Sequence, residues 1–444
     1  MSSSGWGSAP WWEPSRVATR LGLPHRSSAR IDGGEERQLR HRWATHLPNP
    51  RDPNTPTGRT TLMRILLLCE GDAETHDSWS GVSRSLVMHF RGAGHTVTTC
   101  DVDLYGAQSG HVALRTLSFS RRRWWVRYHL GAAGFRARSA RCAEAVRRHA
   151  ADHDIILQVG ATFRVPADTP IPVALYCDSN IELSRTAARS GFSEASVLTE
   201  REIARIHERE SDVYARADFI FTMSDLVRRS FTADFGVPES RLLTIHCGPN
   251  IDPARIAPRN RSANGPPKIV FVGRDWDRKG GEVLLKAFRR VRERIPGARM
   301  TMIGPSRSRP PVDGVEFAGF LSRDTPEGAA AMTAAYDSAT LFCLPTRFDP
   351  FGTSFVEAMI NQLPCVGPDA WAIPEIIEHE QTGLLVPPED PEALADALTR
   401  LLNDRALCLR MGAAGRASAL ERFAWPTLTG RMLSRMAEIS GIAS

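Results

Sequence analysis

The chain lacks the features that would place it across a membrane, around a metal or in a redox cycle. No apolar run reaches the roughly 18 residues needed to span a bilayer. The N-terminal stretch shows no apolar signal-peptide core. The eight cysteines, Cys69, Cys100, Cys142, Cys177, Cys247, Cys343, Cys365 and Cys408, form no CxxC pair. Neither a zinc site nor a dithiol motif is therefore suggested. Several of them end apolar runs, as buried, reduced thiols of a cytosolic protein do. A Walker A loop is missing too, because no stretch has the GxxxxGK[ST] spacing.

What is present is globular. The 444 residues are 42% hydrophobic and 24% charged, which suits two or three domains. The net charge of +6 is unevenly placed. Residues 1–62 carry nine Arg and five acids, and residues 111–150 carry ten Arg and one Glu. The rest of the chain is acidic, so a uniformly basic nucleic-acid binder is not expected.

Residues 1–62 are rich in Ser, Pro and Arg and show no sustained apolar period. They are expected to be a disordered extension, or a mis-annotated one with Met63 as the true start. From "MRILLLCEG" onward, apolar strands alternate with helical patterns: "HTVTTCDV", "DIILQVG", "PVALYCD", "DFIFTMS" and "RLLTIHCG". The alternation pauses at a polar, Pro- and Gly-rich boundary, 254–267, and resumes with "KIVFVGR", "ARMTMIG", "VEFAG" and "TLFCLP". Such alternation predicts parallel sheets with helices on both faces. The expected class is α/β, with two tandem Rossmann-like domains facing each other across a cleft. Their spans are 63–253 and 268–420, and a last helical segment, 421–444, is expected to pack back on the first domain.

Two stretches carry chemistry. "GRDWDRKGG" (273–281) follows the first strand of the second half. Arg274, Lys279 and the glycines at a helix start form a site suited to a diphosphate, or else a solvated charge cluster. "FDPFGTSFVE" (348–357) places Asp349 and Glu357 around a Phe-Gly turn between a strand and a helix. Ligands bind at such strand ends in α/β sheets. The competing structural expectation is a capping box, Ser354-x-x-Glu357, with Glu357 reaching back to the helix start.

These stretches, with "IPEII", "TGLLVPPED", "MSDLVRRSF" and "HCGPNID" in order, resemble the retaining glycosyltransferases of family 4, which have the GT-B fold. The resemblance covers roughly residues 63–440 and is stronger in the second half. It implies a sugar transfer from a nucleoside-diphosphate sugar to a glycan or lipid-linked acceptor, with retention. Arg274 and Lys279 would grip the diphosphate, and Glu357 the ribose hydroxyls. Asp349 would face the transferred sugar, while Gly352, Thr353 and Ser354 offer backbone amides. Gly81 would let the backbone approach the phosphates, Phe320 would lie near the base, and Asp178 stands where many relatives have a His. Side-chain cations and helix amides suit the leaving group, so no metal or other cofactor is expected.

Three departures from the pattern stand out. Asp349 is shorter than the usual Glu, Asp178 replaces a His, and Trp371-Ala372 replaces two glycines, with Trp371 expected to fill core or else to line an acceptor pocket. The alternative functions are a catalytically silent nucleotide-sugar binder and a GT-B-shaped epimerase or hydrolase. "DVD" (101–103) is expected to be a strand-end turn rather than a metal motif. The basic, aromatic segment 121–150 is expected either to touch an anionic membrane peripherally from the cytoplasmic side or to be a solvated helix. No nucleic-acid partner is expected.

Overall fold

The computed structural model describes residues 62–75, 78–188, 191–253, 256, 265–304, 310–323 and 325–442. The extension expected over 1–62 lies outside these residues except for Leu62, and so does most of the boundary expected at 254–267.

The first half alternates β1 (Arg64–Cys69), α1 (Val82–Gly92), β2 (Thr96–Asp101), α2 (Gly106–Arg115), α3 (Arg121–Leu130), α4 (Ala132–His149), β3 (Ile155–Val159), β4 (Val173–Cys177), α5 (Ile181–Ala188), α6 (Glu200–Arg216), β5 (Phe219–Thr222), α7 (Asp225–Phe235) and β6 (Leu242–Thr244). Its six strands pair in parallel in the order β2-β1-β3-β4-β5-β6. β1, β3, β4 and β5 are runs of buried residues because helices cover both faces of the sheet. β2 lies at the edge, and its "TVTTCD" is only half-buried.

The second half repeats the scheme with β7 (Lys268–Val272), α8 (Gly281–Arg294), β8 (Arg299–Ile303), β9 (Val315–Gly319), α9 (Pro326–Ser338), β10 (Leu341–Cys343), α10 (Thr353–Ile360), β11 (Cys365–Pro368), β12 (Gly383–Val386), α11 (Pro391–Asn403), α12 (Arg405–Arg422) and α13 (Trp425–Ile439). Its parallel order is β12-β11-β10-β7-β8-β9.

Local sequence explains many of the helix starts. Thr199 and Glu202 form a capping box on α6, Ser224 caps α7, and Asp390 caps α11 with Pro391 behind it. The helical run is interrupted between α12 and α13 at 423–424, so residue 421 still belongs to α12. From there α13 crosses to the first half. Trp425 donates from Nε1 to the Pro249 carbonyl at 2.9 Å and stacks on His89 of α1. A Cβ on Gly248 would lie 2.5 Å from the Trp425 ring, so only glycine admits the indole there. Arg431 of α13 reaches the Thr244 carbonyl at 3.0 Å. The largest buried cluster accordingly contains residues of both sheets.

All eight cysteines are free thiols, seven of them buried.

Candidate active site

The carboxyl ends of the two sheets face one another. Thr353, at the start of α10, donates to the Cys247 sulfur at 4.0 Å, and the Asn250 amide donates to Glu357 at 3.2 Å. The Glu375 carboxylate of "IPEII" caps α7 across the same divide. Its two oxygens accept from the amides of Leu226 (2.7 Å) and Asp225 (2.6 Å).

Glycine opens three helices at this face: Gly81 for α1, Gly280 for α8 and Gly352 for α10. None has a side-chain cap, so first-turn amides remain for an anion. Gly280 holds φ 73°, and a Cβ there would meet the Pro345 carbonyl oxygen at 1.9 Å. A Cβ on Gly352 would press on the Phe355 ring at 2.6 Å. Both positions therefore exclude larger residues.

Lys279 and Asp349 come together as an ion pair, with Asp349 only 4% exposed. Burial holds the Lys279 ammonium below the usual lysine range, with Asp349 pulling the other way and Arg278 adding to the depression. Arg278 donates to the Phe348 carbonyl at 3.1 Å and lies 4.0 Å from Asp349. Arg274 is exposed, its guanidinium 4.0 Å over the half-exposed Phe320 ring. This cation–π contact holds a positive charge at the sheet mouth.

Glu357 is 4% exposed, and both of its oxygens are engaged. Arg323 donates twice, at 2.5 and 3.1 Å, and the Asn250 amide and the Tyr336 hydroxyl donate at 3.2 and 3.4 Å. The capping-box expectation is corrected here. α10 starts at Thr353 with Gly352 as its N-cap, Ser354 lies inside the helix, and Glu357 binds Arg323 instead of the helix start. A buried carboxylate takes a full cation in preference to one exposed amide.

Asp178 sits directly after β4, half-buried. Burial, with the Glu194 charge adding, pushes its carboxyl up to about 6. Behind it, Glu210 on α6 accepts the Ile181 amide at 2.9 Å, and burial raises it to about 8. The Ser179 hydroxyl and the Asn250 side-chain oxygen are buried with no protein partner among the described residues. His246 packs between Phe351 and Phe423, with burial and Arg422 pushing it down to about 4.

Trp371 does not fill core as expected. It is half-buried, meets the Phe348 ring edge-on and holds φ 58°, the region glycine adopts freely. The "DVD" carboxylates serve turns. Asp101 accepts from the amides of Gly71 (2.8 Å) and Asp103 (2.7 Å), and Asp103 accepts from Leu104 (2.8 Å).

Sequence reasoning did not single out Arg323, Arg278, Glu375, His246 or Glu210. Arg323 had a readable signal, since it follows the β9 turn only three residues past Phe320. Arg278, His246 and Glu375 lie inside the stretches "GRDWDRKGG", "HCGPNID" and "IPEII", but what their side chains meet, like the burial of Glu210, depends on packing between distant segments.

Residues 266–404 match the family model described as glycosyl transferases group 1. The sucrose-phosphate synthase of Thermosynechococcus elongatus superposes with a TM-score of 0.64 at 19% identity, over 85% of this chain and 99% of that one. A glycosyltransferase from Rickettsia africae superposes with a TM-score of 0.58 at 15% identity, over 85% and 99%. The fold is GT-B. Among curated relatives, this GT-B chain is 34% identical over 221 residues to a phosphatidyl-myo-inositol mannosyltransferase of Mycobacterium leprae, covering 48% of this chain and 56% of that protein. It is 28% identical over 239 residues to a Mycobacterium tuberculosis protein named as a GDP-mannose-dependent alpha-(1-6)-phosphatidylinositol monomannoside mannosyltransferase, covering 48% and 60%. The match thus spans little more than half the length of these relatives. No described helix is long and apolar enough to cross a membrane.

Proposed function

We propose that this chain is a glycosyltransferase that moves a hexose from a nucleoside-diphosphate sugar to a glycan or lipid-linked acceptor, with retention and without a metal. The observation that carries the reading is the cation set of the second half. Lys279, Arg278 and Arg274 stand with the uncapped starts of α8 and α10 at the carboxyl ends of β7 and β10. That is the chemistry a departing diphosphate needs, and one preorganised donor of this kind is worth about 3 kcal/mol.

In this reading the diphosphate draws Lys279 away from Asp349, which frees Asp349 to face the sugar. Arg274 and Phe320 border the base. Glu357 meets the ribose by exchanging one of its four protein donors, and Gly352, Thr353 and Ser354 present amides. Gly81 brings the α1 start to the phosphates. Asp178, with Ser179 beside it, faces the acceptor side. The bond from the anomeric carbon to the leaving phosphate breaks as the acceptor oxygen attacks on the same face. The acceptor's proton passes to the leaving phosphate oxygen.

The relatives' names make GDP-mannose the first donor to try. The test is thermal stabilisation by a donor panel, followed by turnover with phosphatidylinositol-type and glycan acceptors. The expected result is a shift with one donor, lost in Lys279→Ala, and a retained anomeric configuration by proton NMR that survives chelator. Donor binding without nucleotide release for any acceptor would instead favour a silent binder. Donor consumption without an acceptor would favour an epimerase or hydrolase.

A further inference from the structure

The arginine-rich segment is less free than its composition suggests. Arg122 donates to the carbonyls of Gly191 (2.9 Å) and Ser193 (2.8 Å). Arg123 and Arg127 both pair with Glu202. Arg138 is fully buried against Glu70, and Arg141 donates to the Asp101 carbonyl. Trp124 turns inward, donating from Nε1 to the Ala113 carbonyl at 2.9 Å, and this folds α3 back on α2. Most of the segment thus holds the first half together.

The tip joining α2 to α3 differs. Leu114 is 69% exposed, Leu117 61% and Phe119 113%, and Arg115 and Arg121 beside them are exposed as well. Of the eight large hydrophobics exposed among the described residues, these three and Tyr105 lie within 105–119. Scattered surface hydrophobics need no explanation, but a cluster at one turn does.

We propose that the tip 114–121 docks on an anionic lipid bilayer. Leu114, Leu117 and Phe119 enter the headgroup–acyl boundary, and Arg115 and Arg121 meet the lipid phosphates. The apolar trio is too small to anchor alone, and the flanking cations supply the second attraction that reversible surface binding needs. The charge argues for lipid over a neutral partner, since residues 114–121 carry the exposed Arg115 and Arg121 and no acid. A lipid-borne acceptor rests in addition on the transferase reading, whereas the docking does not.

The test is co-sedimentation of the full chain with vesicles of phosphatidylcholine, with and without phosphatidylglycerol. Wild type should bind the anionic vesicles at low salt and be released by high salt. The variant Leu114→Ser/Leu117→Ser/Phe119→Ser should lose at least about tenfold in affinity with an unchanged melting temperature. Arg115→Glu/Arg121→Glu should lose binding and its salt dependence together. Equal binding to both vesicle types, or undiminished binding of the serine variant, would overturn the proposal. So would a solution dimer that the serine substitutions dissociate while vesicle binding persists, because the tip would then be a contact between copies. Vesicle binding needs no donor, so its failure would leave the donor-site reading standing.

Discussion

The two halves share one architecture, and they treat four carboxylates near the cleft differently. In the second half each carboxylate of the "FDPFGTSFVE" stretch has a cation: Asp349 has Lys279, and Glu357 has Arg323. In the first half Asp178 and Glu210 have none as a leading influence, and burial pushes them up to about 6 and about 8. A buried charge must be paired or neutralised. The second half uses pairing, which keeps cations in place for a charged ligand. The first half also pairs Glu70 with Arg138, but at Glu210 it lets burial raise the carboxyl far enough to keep it protonated at neutral pH, and at Asp178 it raises it part of the way.

The contrast can be broken most severely at Lys279. Lys279→Ala should remove donor-induced stabilisation and cut turnover by about a thousandfold. It should also destabilise the fold, because Asp349 is left buried without its partner. Adding Asp349→Asn should restore the melting temperature without restoring turnover. Full recovery of activity in the double variant would show that the pair is only structural.

Arg323→Ala should cost about 3–5 kcal/mol of stability in denaturant unfolding, because it strands Glu357. Arg323→Lys should recover part of this, losing the two-pronged geometry but keeping the charge. A loss below about 1 kcal/mol would mean that Glu357 finds another partner.

The first half should respond to pH in the sense set by its raised carboxyls. Glu210 moves from 4.5 to about 8 on folding. Its contribution favours the folded state fully below about 4.5 and is lost as pH rises towards 8. Glu210→Gln should therefore gain stability over wild type at pH 8 and not at pH 4.5, as read from melting curves. Asp178→Asn should act likewise over a window closing near pH 6. Parallel wild-type and variant curves at all pH values would place these carboxyls in a wetter environment.

The smallest effect concerns the bridge between the halves. Glu375→Ala leaves Ser224 in place but removes the carboxylate cap on the Asp225 and Leu226 amides of α7, and should cost about 1 kcal/mol of stability. It should raise the donor KM more than it lowers kcat, because the two faces are held less closely. An unchanged KM would make the cap a local feature of α7.

Much of the fold was legible because burial on both faces of a parallel sheet writes itself as apolar runs such as "RILLLC" and "KIVFV", and helices announce their starts with Ser, Thr, Asp or Gly. Candidate site residues were legible where the chemistry is local: a glycine needed for a left-handed turn at 280, or cations placed just past a strand. Partners were not. Glu357 could be read as a helix cap as well as a ligand contact because Ser354 lies three residues before it, yet Arg323, 34 positions away, takes it. The apolar tip escaped notice for a similar reason, since Leu114 and Phe119 look like core until the packing leaves them outside.

The sequence by itself therefore determined the strand–helix alternation, the doubling into two sheets and the gathering of cations at strand ends, all of which follow from short-range patterning. Only the tertiary structure decided which charge meets which, that Glu375 caps a helix of the opposite half, and that the expected return of α13 runs through Trp425 on Gly248 and Pro249. Those outcomes depend on distances between segments far apart in the chain, and on burial that strengthens each charge while removing the water that would otherwise satisfy it.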